Sequence, residues 1–492
     1  MTRVAIRVDA STIIGSGHVI RCVTLAEELR GLGADVCFVC RPLPGDYCGW
    51  LKSRGYVVHR LPARKGIVPT VLDATQTQEA LSKNTPVEWL VTDHYGVDRE
   101  WEDTARAAAR RIMVIDDLAD RSHHCDLLLN QNLPAAGDSY AALVPAGTRV
   151  LQGPRYALLR PEFARLRCAQ PPRDGIVRRI LVCFGGTDAG NHTAAALRAL
   201  RDCAGGVDHI DVVLGPSNPH REHIAALCAE TPRTLLHSPA TDMADLMTRA
   251  DLAIGAGGAM SWERACLGVP TVAFGIAGNQ RKVLEVLIEG GYVVGVPELP
   301  SPDFAKMGAW IRSALENQPL LRGLAQRAAT LVDGLGAQRV ANAMLPVSLV
   351  FRPARIEDTD MIFQYRNDPA VRGASLDGRE ISREGHDAWM KQTLSNPQRI
   401  LLIAERDGRP QGVVRFDLSP AEATISVYRA PNAGPAGLGL VRQATAWLRS
   451  QHSGIKRVVA EVLPGNAASL AAFRAAGYRD GKYVLDTDLD TP

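Results

Sequence analysis

Two hydrophobic periods alternate along this chain, and that alternation constrains its fold more than any other feature. Short apolar, β-branched runs occur at residues 4–8, 36–39, 89–92 and 113–116. Longer segments with helical spacing lie between them, at 19–32 and 99–110. Repetition of this kind builds βαβ units on a parallel sheet. The rhythm breaks at 156–163 and 170–175, where proline and glycine mark a crossover, and then restarts. The second series has strands at 180–184, 212–214, 252–254 and 271–274, with helices at 191–200, 261–267, 280–289 and 305–316. Two Rossmann-like halves in tandem imply a ligand cleft between lobes.

From residue 349 the pattern changes to α+β. A strand at 349–353 is followed by helices at 358–367 and 382–394, with Ser382 as N-cap and Glu384 in the first turn. A hairpin follows, 400–405 and 411–417 around Asp407-Gly408, then a strand at 424–429 and a glycine-rich loop. A helix at 438–450, a strand at 457–462, a helix at 467–476 and a strand at 483–486 complete it. The expected domains are therefore 1–165, 166–340 and 349–492.

Composition removes several classes of function. A net charge of +3 over 492 residues offers no polybasic surface for nucleic acid. No apolar run reaches the roughly 18 to 20 residues that span a bilayer, and the first residues become charged too early for a secretory signal. The expectation is a cytoplasmic protein. Its ten cysteines include Cys37 and Cys40, but these sit on a strand, where residues three apart face opposite sides. They are read as buried apolar cysteines rather than as a redox or zinc pair. Asp116-Asp117 are adjacent strand residues whose side chains diverge, so no metal site is expected.

Open parallel sheets bind ligands beyond the carboxyl ends of their strands. The first loop there is Asp9-Ala-Ser11-Thr-Ile-Ile-Gly15-Ser16-Gly17-His18. Gly15 and Gly17 permit a tight turn and close approach. His18 opens a helix, and the positive end of a helix disfavours a charged imidazole, leaving a base for water. A histidine that only caps the helix is the alternative. Asp93-His94-Tyr95, Asp116-Asp117 and Asn130-Gln131-Asn132 lie at later strand ends, as cleft residues or as ordinary turn residues. In the second half, Gly185-Gly186-Thr187-Asp188 offers bare amides to an anion. Gly255-Ala-Gly257-Gly258 leads into a helix whose first turn carries Glu263, placed to take ribose hydroxyls or simply to favour the helix dipole. Asn279-Gln280 follow the next strand.

These motifs resemble the UDP-sugar hydrolases of pseudaminic acid biosynthesis, in the glycosyltransferase-B (GT-B) superfamily. The resemblance spans residues 1–340. It rests on Arg7-x-Asp9-x-Ser11, Ile14-Gly-x-Gly17-His18-x-x-Arg21, Asp93-His94-Tyr95-Gly96, Ile115-Asp116-Asp117, His124-Cys125-Asp126, Leu128-Leu129-Asn130, Gly185-Gly186-Thr187-Asp188, Glu263 and Asn279-Gln280. It implies that water displaces UDP from the anomeric carbon of UDP-2,4-diacetamido-2,4,6-trideoxy-β-L-altropyranose, with C–O cleavage and inversion and without a cofactor. His18 would be the general base. Asp9, Gly17, Arg21, Asp93, Tyr95, Gly186, Thr187, Gly257, Gly258, Glu263, Asn279 and Gln280 would bind substrate.

The last domain resembles the GNAT acetyltransferases that acetylate an amino group on a nucleotide-linked sugar, through Arg366-Asn367-Asp368-x-x-Val371-Arg372 and His386-x-x-Trp389. The resemblance implies acetyl-CoA as co-substrate, with Gly437 and Gly439 at its pyrophosphate and Asn466 and Ser469 at its pantetheine arm. Two positions depart from the pattern. Gly434 stands where a Gln or Arg is usual, and Phe473 stands where a general-acid tyrosine is frequent. Three readings stay open: a hydrolase fused to an acetyltransferase, a GT-B glycosyltransferase or a hydrolase beside a degenerate GNAT domain, and a non-catalytic nucleotide-sugar binder.

Overall fold

The computed structural model describes residues 2–478 apart from 65, 67, 83–85, 135–139, 216–217, 239–241, 346–348, 376, 407, 432, 434–436, 453 and 464. The chain divides into two units, Met1–Met344 and Leu345–Pro492.

The first unit holds two parallel sheets. One contains β1 (Arg3–Val8), β2 (Asp35–Cys40), β3 (Val57–Arg60), β4 (Val87–Asp93), β5 (Ala109–Ile115), β6 (Leu127–Asn130) and β7 (Arg149–Gln152), in the order β3-β2-β1-β4-β5-β6-β7. The other contains β8 (Arg179–Cys183), β9 (His209–Val213), β10 (Thr234–His237), β11 (Leu252–Ala256), β12 (Thr271–Phe274) and β13 (Val294–Val296), in the order β10-β9-β8-β11-β12-β13. Central strands such as β1 and β11 are buried along nearly their whole length, because helices cover both faces. The order reverses between β1 and β4 in the first sheet and between β8 and β11 in the second. These switch points are where the crevices open.

The sequence reading found the central strands and missed β3, β7, β10 and β13. Those are outer strands, half-exposed in β3, β7 and β10 and only three residues long in β13, and they lack the continuous apolar run of a covered strand. The helix expected over 99–110 is shorter. Arg99–Ala105 is helical, Arg106–Ala108 forms one 3₁₀ turn, and Ala109 pairs with Val87 of β4. Asp98 fixes the start of that helix by accepting the Trp101 amide. The helix Gly336–Met344 packs on the first lobe against the helix Gly17–Gly31, and Trp89 Nε1–H donates to Met344 O at 3.0 Å.

The second unit carries one five-stranded sheet, β14 (Val350–Pro353), β15 (Arg399–Arg406), β16 (Arg409–Leu418), β17 (Glu422–Arg429) and β18 (Arg457–Ala460), in that order. Only the last pair is parallel. Ser382 caps its helix as expected, accepting the Gly385 amide. Of the expected features, Asp407 and the strand at 483–486 lie outside the described residues. Among the described residues no helix is long and apolar enough to cross a membrane.

Gly275 shows how tightly the second lobe is built. A β-carbon there would stand 1.9 Å from the carbonyl oxygen of Pro297. Gly275→Ala is therefore expected to destabilise this lobe by about 1–3 kcal/mol through overpacking. A thermal melt of the variant checks this, and an unchanged transition would contradict it.

Candidate active site

The first-lobe residues meet at the switch point because β1 and β4 are neighbours, with Val8 level with Asp93. After β1 the chain turns through a tight loop. Ser11 Oγ accepts the amides of Ile13 and Ile14, and the Gly15 amide donates to Ser11 O at 2.8 Å. Gly15 has φ +81°, a conformation L side chains rarely adopt. The helix then starts at Gly17, and its first turn presents His18.

His18 Nδ1 lies 2.6 Å from Asp93 Oδ1. Asp93 is 1% exposed and also accepts Nε–H and Nη2–H of Arg21, each at 2.6 Å. Burial alone would raise its pKa. The guanidinium of Arg21 and the ring of His18 outweigh that and hold the carboxyl well below the usual range. An ionised carboxylate only accepts, so Nδ1 carries the shared proton, and in the neutral ring the lone pair is on Nε2. Arg21 Nη2 is also 3.3 Å from Nδ1, but the shorter charge-assisted contact sets the tautomer.

Tyr95 completes this edge. Its ring stands edge-on to His18, with centroids 4.9 Å apart at 89°. Burial and the nearby Asp117 push its phenol above the ordinary value, so it is a neutral donor. Its oxygen accepts Asn279 Nδ2–H at 3.3 Å, from the second lobe. Three expected substrate ligands lie beneath the cleft. Asp93 and Arg21 are spent on one another and on His18. Asp9 is buried, accepting Arg7 Nη1 and Nη2 at 2.6 and 2.8 Å and the Arg41 amide at 2.7 Å. Their polar atoms are satisfied within the protein, and they form the floor of the site.

No sequence motif pointed to what anchors that floor. Asp73 accepts Arg7 Nε and Nη2 at 3.0 and 2.8 Å, Arg41 Nη2 at 2.6 Å and Trp101 Nε1 at 3.0 Å. The Asn130–Asn132 cluster is likewise structural. Gln131 Oε1 accepts the Leu158 amide, and Asn132 Oδ1 accepts Trp262 Nε1–H at 3.2 Å, bracing one lobe on the other. Asp116 binds Tyr140 and Arg121. Among the described residues no group of three or more His, Cys, Asp or Glu is placed to hold a metal, and nine cysteines, Cys37 and Cys40 among them, are free thiols.

Two loops of the second lobe flank its switch point. The loop after β8 turns at Gly185, φ +99°, and a β-carbon on Gly186 would stand 3.8 Å from Ser16 Oγ of the first lobe. Here the expected anion site is smaller than the sequence suggested. Asp188 accepts the amides of His192 and Thr193, each at 2.9 Å, so the next helix start is already capped. Among the described residues the Gly186 and Thr187 amides keep no such partner. After β11, Gly257 packs under Leu284, and Gly258 lies beside Gln280, whose Oε1 accepts the Ile276 amide at 3.1 Å. Glu263 keeps 16% of its side chain exposed. Burial raises its pKa, against the opposing Arg160 3.7 Å away.

In the second unit β17 and β18 pair only from Glu422–Arg457 to Ile425–Ala460, so β17 runs on without that neighbour. Gly437 begins the helix Gly437–Gln451, which also contains Gly439, while Gly434, Pro435 and Ala436 lie outside the described residues. Of the expected acetyl-CoA ligands, Asn466 has both side-chain amide atoms engaged within the fold. Asn466 Oδ1 caps the Ser469 amide at 3.0 Å, and its Nδ2 donates to Ala374 O at 2.9 Å. Tyr478 is held by Thr445 Oγ1 at 2.8 Å. Asn367 is exchanged with Ile381 through both of its amide atoms, and His386 is buried against Trp389.

Comparison with known proteins adds the following. Residues 348–479 match the family described as "Acetyltransferase (GNAT) domain", and residues 206–295 match "Protein of unknown function (DUF354)". The UDP-2,4-diacetamido-2,4,6-trideoxy-beta-L-altropyranose hydrolase of Campylobacter jejuni is 27% identical over 59% of this chain and 98% of its own length. Spore coat polysaccharide biosynthesis protein SpsG of Bacillus subtilis is 26% identical over 68% of this chain and 96% of its own. Uncharacterized protein MJ1062 of Methanocaldococcus jannaschii is 21% identical over 99% of this chain and 100% of its own, so the match runs through both units. A crystal structure of Acinetobacter baumannii MurG, 18% identical, covers 70% of this chain and 99% of its own with a TM-score of 0.50, a likeness of fold. The chain is thus homologous to a UDP-sugar hydrolase through its two GT-B-like lobes and carries a GNAT domain behind them.

Asp93→Asn removes the obligate acceptor at Nδ1 and lets an amide N–H face it, which favours the wrong tautomer. Turnover by the first unit is expected to fall about 10²- to 10⁴-fold, measured as initial rates with the fold checked by circular dichroism. The same carboxylate sets an acid dependence. Its lowered folded pKa contributes stability that is complete above about pH 4, where unfolded aspartates are ionised, and is lost as pH falls toward the folded value. Urea unfolding between pH 6 and pH 3 should steepen less for Asp93→Asn than for wild type. Parallel curves would remove Asp93 from this role.

Proposed function

We propose that residues 1–340 hydrolyse a UDP-linked amino sugar to free sugar and UDP, and that residues 349–492 use acetyl-CoA to acetylate the amino group of that sugar's precursor. The observation that supports this best is the His18–Asp93 pair at the first-lobe switch point, with Tyr95 joined to Asn279 of the second lobe. By homology to the Campylobacter enzyme, the substrate is UDP-2,4-diacetamido-2,4,6-trideoxy-β-L-altropyranose, and the motif resemblance implies the route of pseudaminic acid biosynthesis. The reaction is assigned to the cytoplasm, where nucleotide sugars are made.

The chemistry follows from the parts. His18 Nε2 takes a proton from water as its oxygen attacks C1. The C1–O bond to the β-phosphate breaks, its electron pair leaves with UDP, and attack from the opposite face inverts the anomeric centre. The amides of Gly186, Thr187 and Gly258 meet the charge that grows on the diphosphate, and Glu263 accepts the ribose hydroxyls. Tyr95 and Asn279 orient the sugar between the lobes, with Gln280 bracing their loop. Gly17 leaves the space above the His18 turn open. A good leaving group and one base suffice for this route, so it needs no metal. In the second unit the unpaired stretch of β17 and the helix begun by Gly437 would receive acetyl-CoA. The amine attacks the acetyl carbon, the C–S bond breaks, and coenzyme A leaves as its thiol. The acetylated product is then the first unit's substrate.

With purified protein, UDP-sugar and water alone, UDP and free sugar should appear in equal amounts by mass spectrometry. UDP that forms only after an acceptor is added would make the protein a glycosyltransferase. His18→Asn should abolish this turnover and still bind UDP; undiminished turnover removes His18 from the mechanism. Acetyl-CoA with the 4-amino sugar nucleotide should release free thiol, whereas bound coenzyme A without thiol release would mark a degenerate GNAT domain.

A further inference from the structure

Arg264 is a buried cation that makes no salt bridge among the described residues, with Glu263 acting on it only at longer range. It is 3% exposed, and among the described residues no carboxylate pairs with it. Its neighbour in sequence, Glu263, faces Arg160 instead. Cys183 offers no charge, because burial pushes its thiol up to about 11. Nη2 donates to Ala256 O at 2.6 Å and to Ser261 Oγ at 3.1 Å, while Nε has no hydrogen-bond partner among the described residues. Such a group is costly, since taking a guanidinium out of water without a paired anion forfeits hydration that two neutral acceptors replace only in part. Burial accordingly lowers its pKa to about 10, still charged at neutral pH.

Its place in the fold gives the cost a use. A β-carbon on Gly255 would stand 2.8 Å from Arg264 Nη1 and 2.1 Å from Cys183 O. The guanidinium is therefore packed directly against the ends of β11 and β8, the two strands that flank the second-lobe switch point. It lies under the Gly255–Gly258 turn and beside the strand that leads into Gly185-Gly186. The loops above it carry the open amides, and a charge fixed below them in a dry interior acts on an anion with little screening.

We propose that Arg264 is the buried counter-charge for the diphosphate of the bound nucleotide, acting through the glycine loop without touching the ligand. This rests on the second lobe being the UDP-binding lobe. The ligand class it selects is a nucleoside diphosphate over a nucleoside. It also favours departure of UDP, because negative charge on the β-phosphate grows as the C1–O bond breaks, toward a cation already in place.

The test compares dissociation constants for UDP and for uridine in the full-length protein, since a merely structural role would weaken both alike. Arg264→Gln keeps an amide donor for Ala256 O and removes the charge; Arg264→Met removes both. Each neutral variant should bind UDP at least tenfold more weakly and uridine within twofold of wild type. Arg264→Lys keeps the charge, and its UDP-to-uridine ratio should stay within threefold of wild type; it also serves if a neutral variant fails to fold. Parallel losses of UDP and uridine, no loss of UDP, or a ratio in Arg264→Lys as low as in the neutral variants would overturn the proposal. Wild-type protein that binds neither ligand would instead overturn the UDP reading of this lobe, and this inference with it.

Discussion

One buried carboxylate organises the first lobe's chemistry. Asp93 ends a central strand with no water to solvate it, so its charge survives only because Arg21 and His18 surround it. The same contacts hold Arg21 in the interior, tie the first turn of the helix that starts at Gly17 to the end of β4, and turn His18 so that its Nδ1 is engaged. Removing Arg21 leaves the Asp93 charge without its main compensation, which costs more than the pair itself contributes. The site's stability and its reactivity are thus set by one arrangement.

A second network lies beneath the first. Arg7, Asp9, Arg41, Asp73 and Trp101 tie β1 to a helix far away in the chain, Thr70–Leu81. Because Asp9 is held there, the loop after β1 leaves the sheet in one direction, and Ser11 and Gly15 complete the turn. The second lobe uses a different economy. Its loops after β8 and β11 keep the amides of Gly186, Thr187 and Gly258 without protein partners among the described residues, and the Arg264 guanidinium lies against the strand ends below them. The proposed division of labour between lobes rests on these two kinds of floor.

How far the sequence went depended on what each residue's role required. His18, Tyr95, Glu263 and Asn279 could be placed at the switch points because they lie in short polar loops at strand ends. Asp9, Arg21 and Asp93 could be singled out in the same way, but not their internal pairing. Their motif spacing says which residues matter, but only side-chain direction separates a floor from a wall. Asp73 and Trp101 carried no signal, since their partners are 66 and 28 residues away. Asp188 looked like part of an anion loop and is a helix cap, the commoner fate of such a residue. The central strands were found from continuous apolar runs, and the outer ones escaped because half-exposed strands lack that mark. In the GNAT domain the motif residues Asn367 and Asn466 proved to be staples within the fold.

The most direct test of this account is the protonation of the His18 ring in the unliganded protein, read by ¹⁵N NMR of histidine-labelled protein and assigned by difference with His18→Asn. The account predicts a proton on Nδ1, hydrogen-bonded to Asp93, with the resonance of a bare, unprotonated Nε2 at neutral pH. A proton on Nε2 with Nδ1 bare would contradict it.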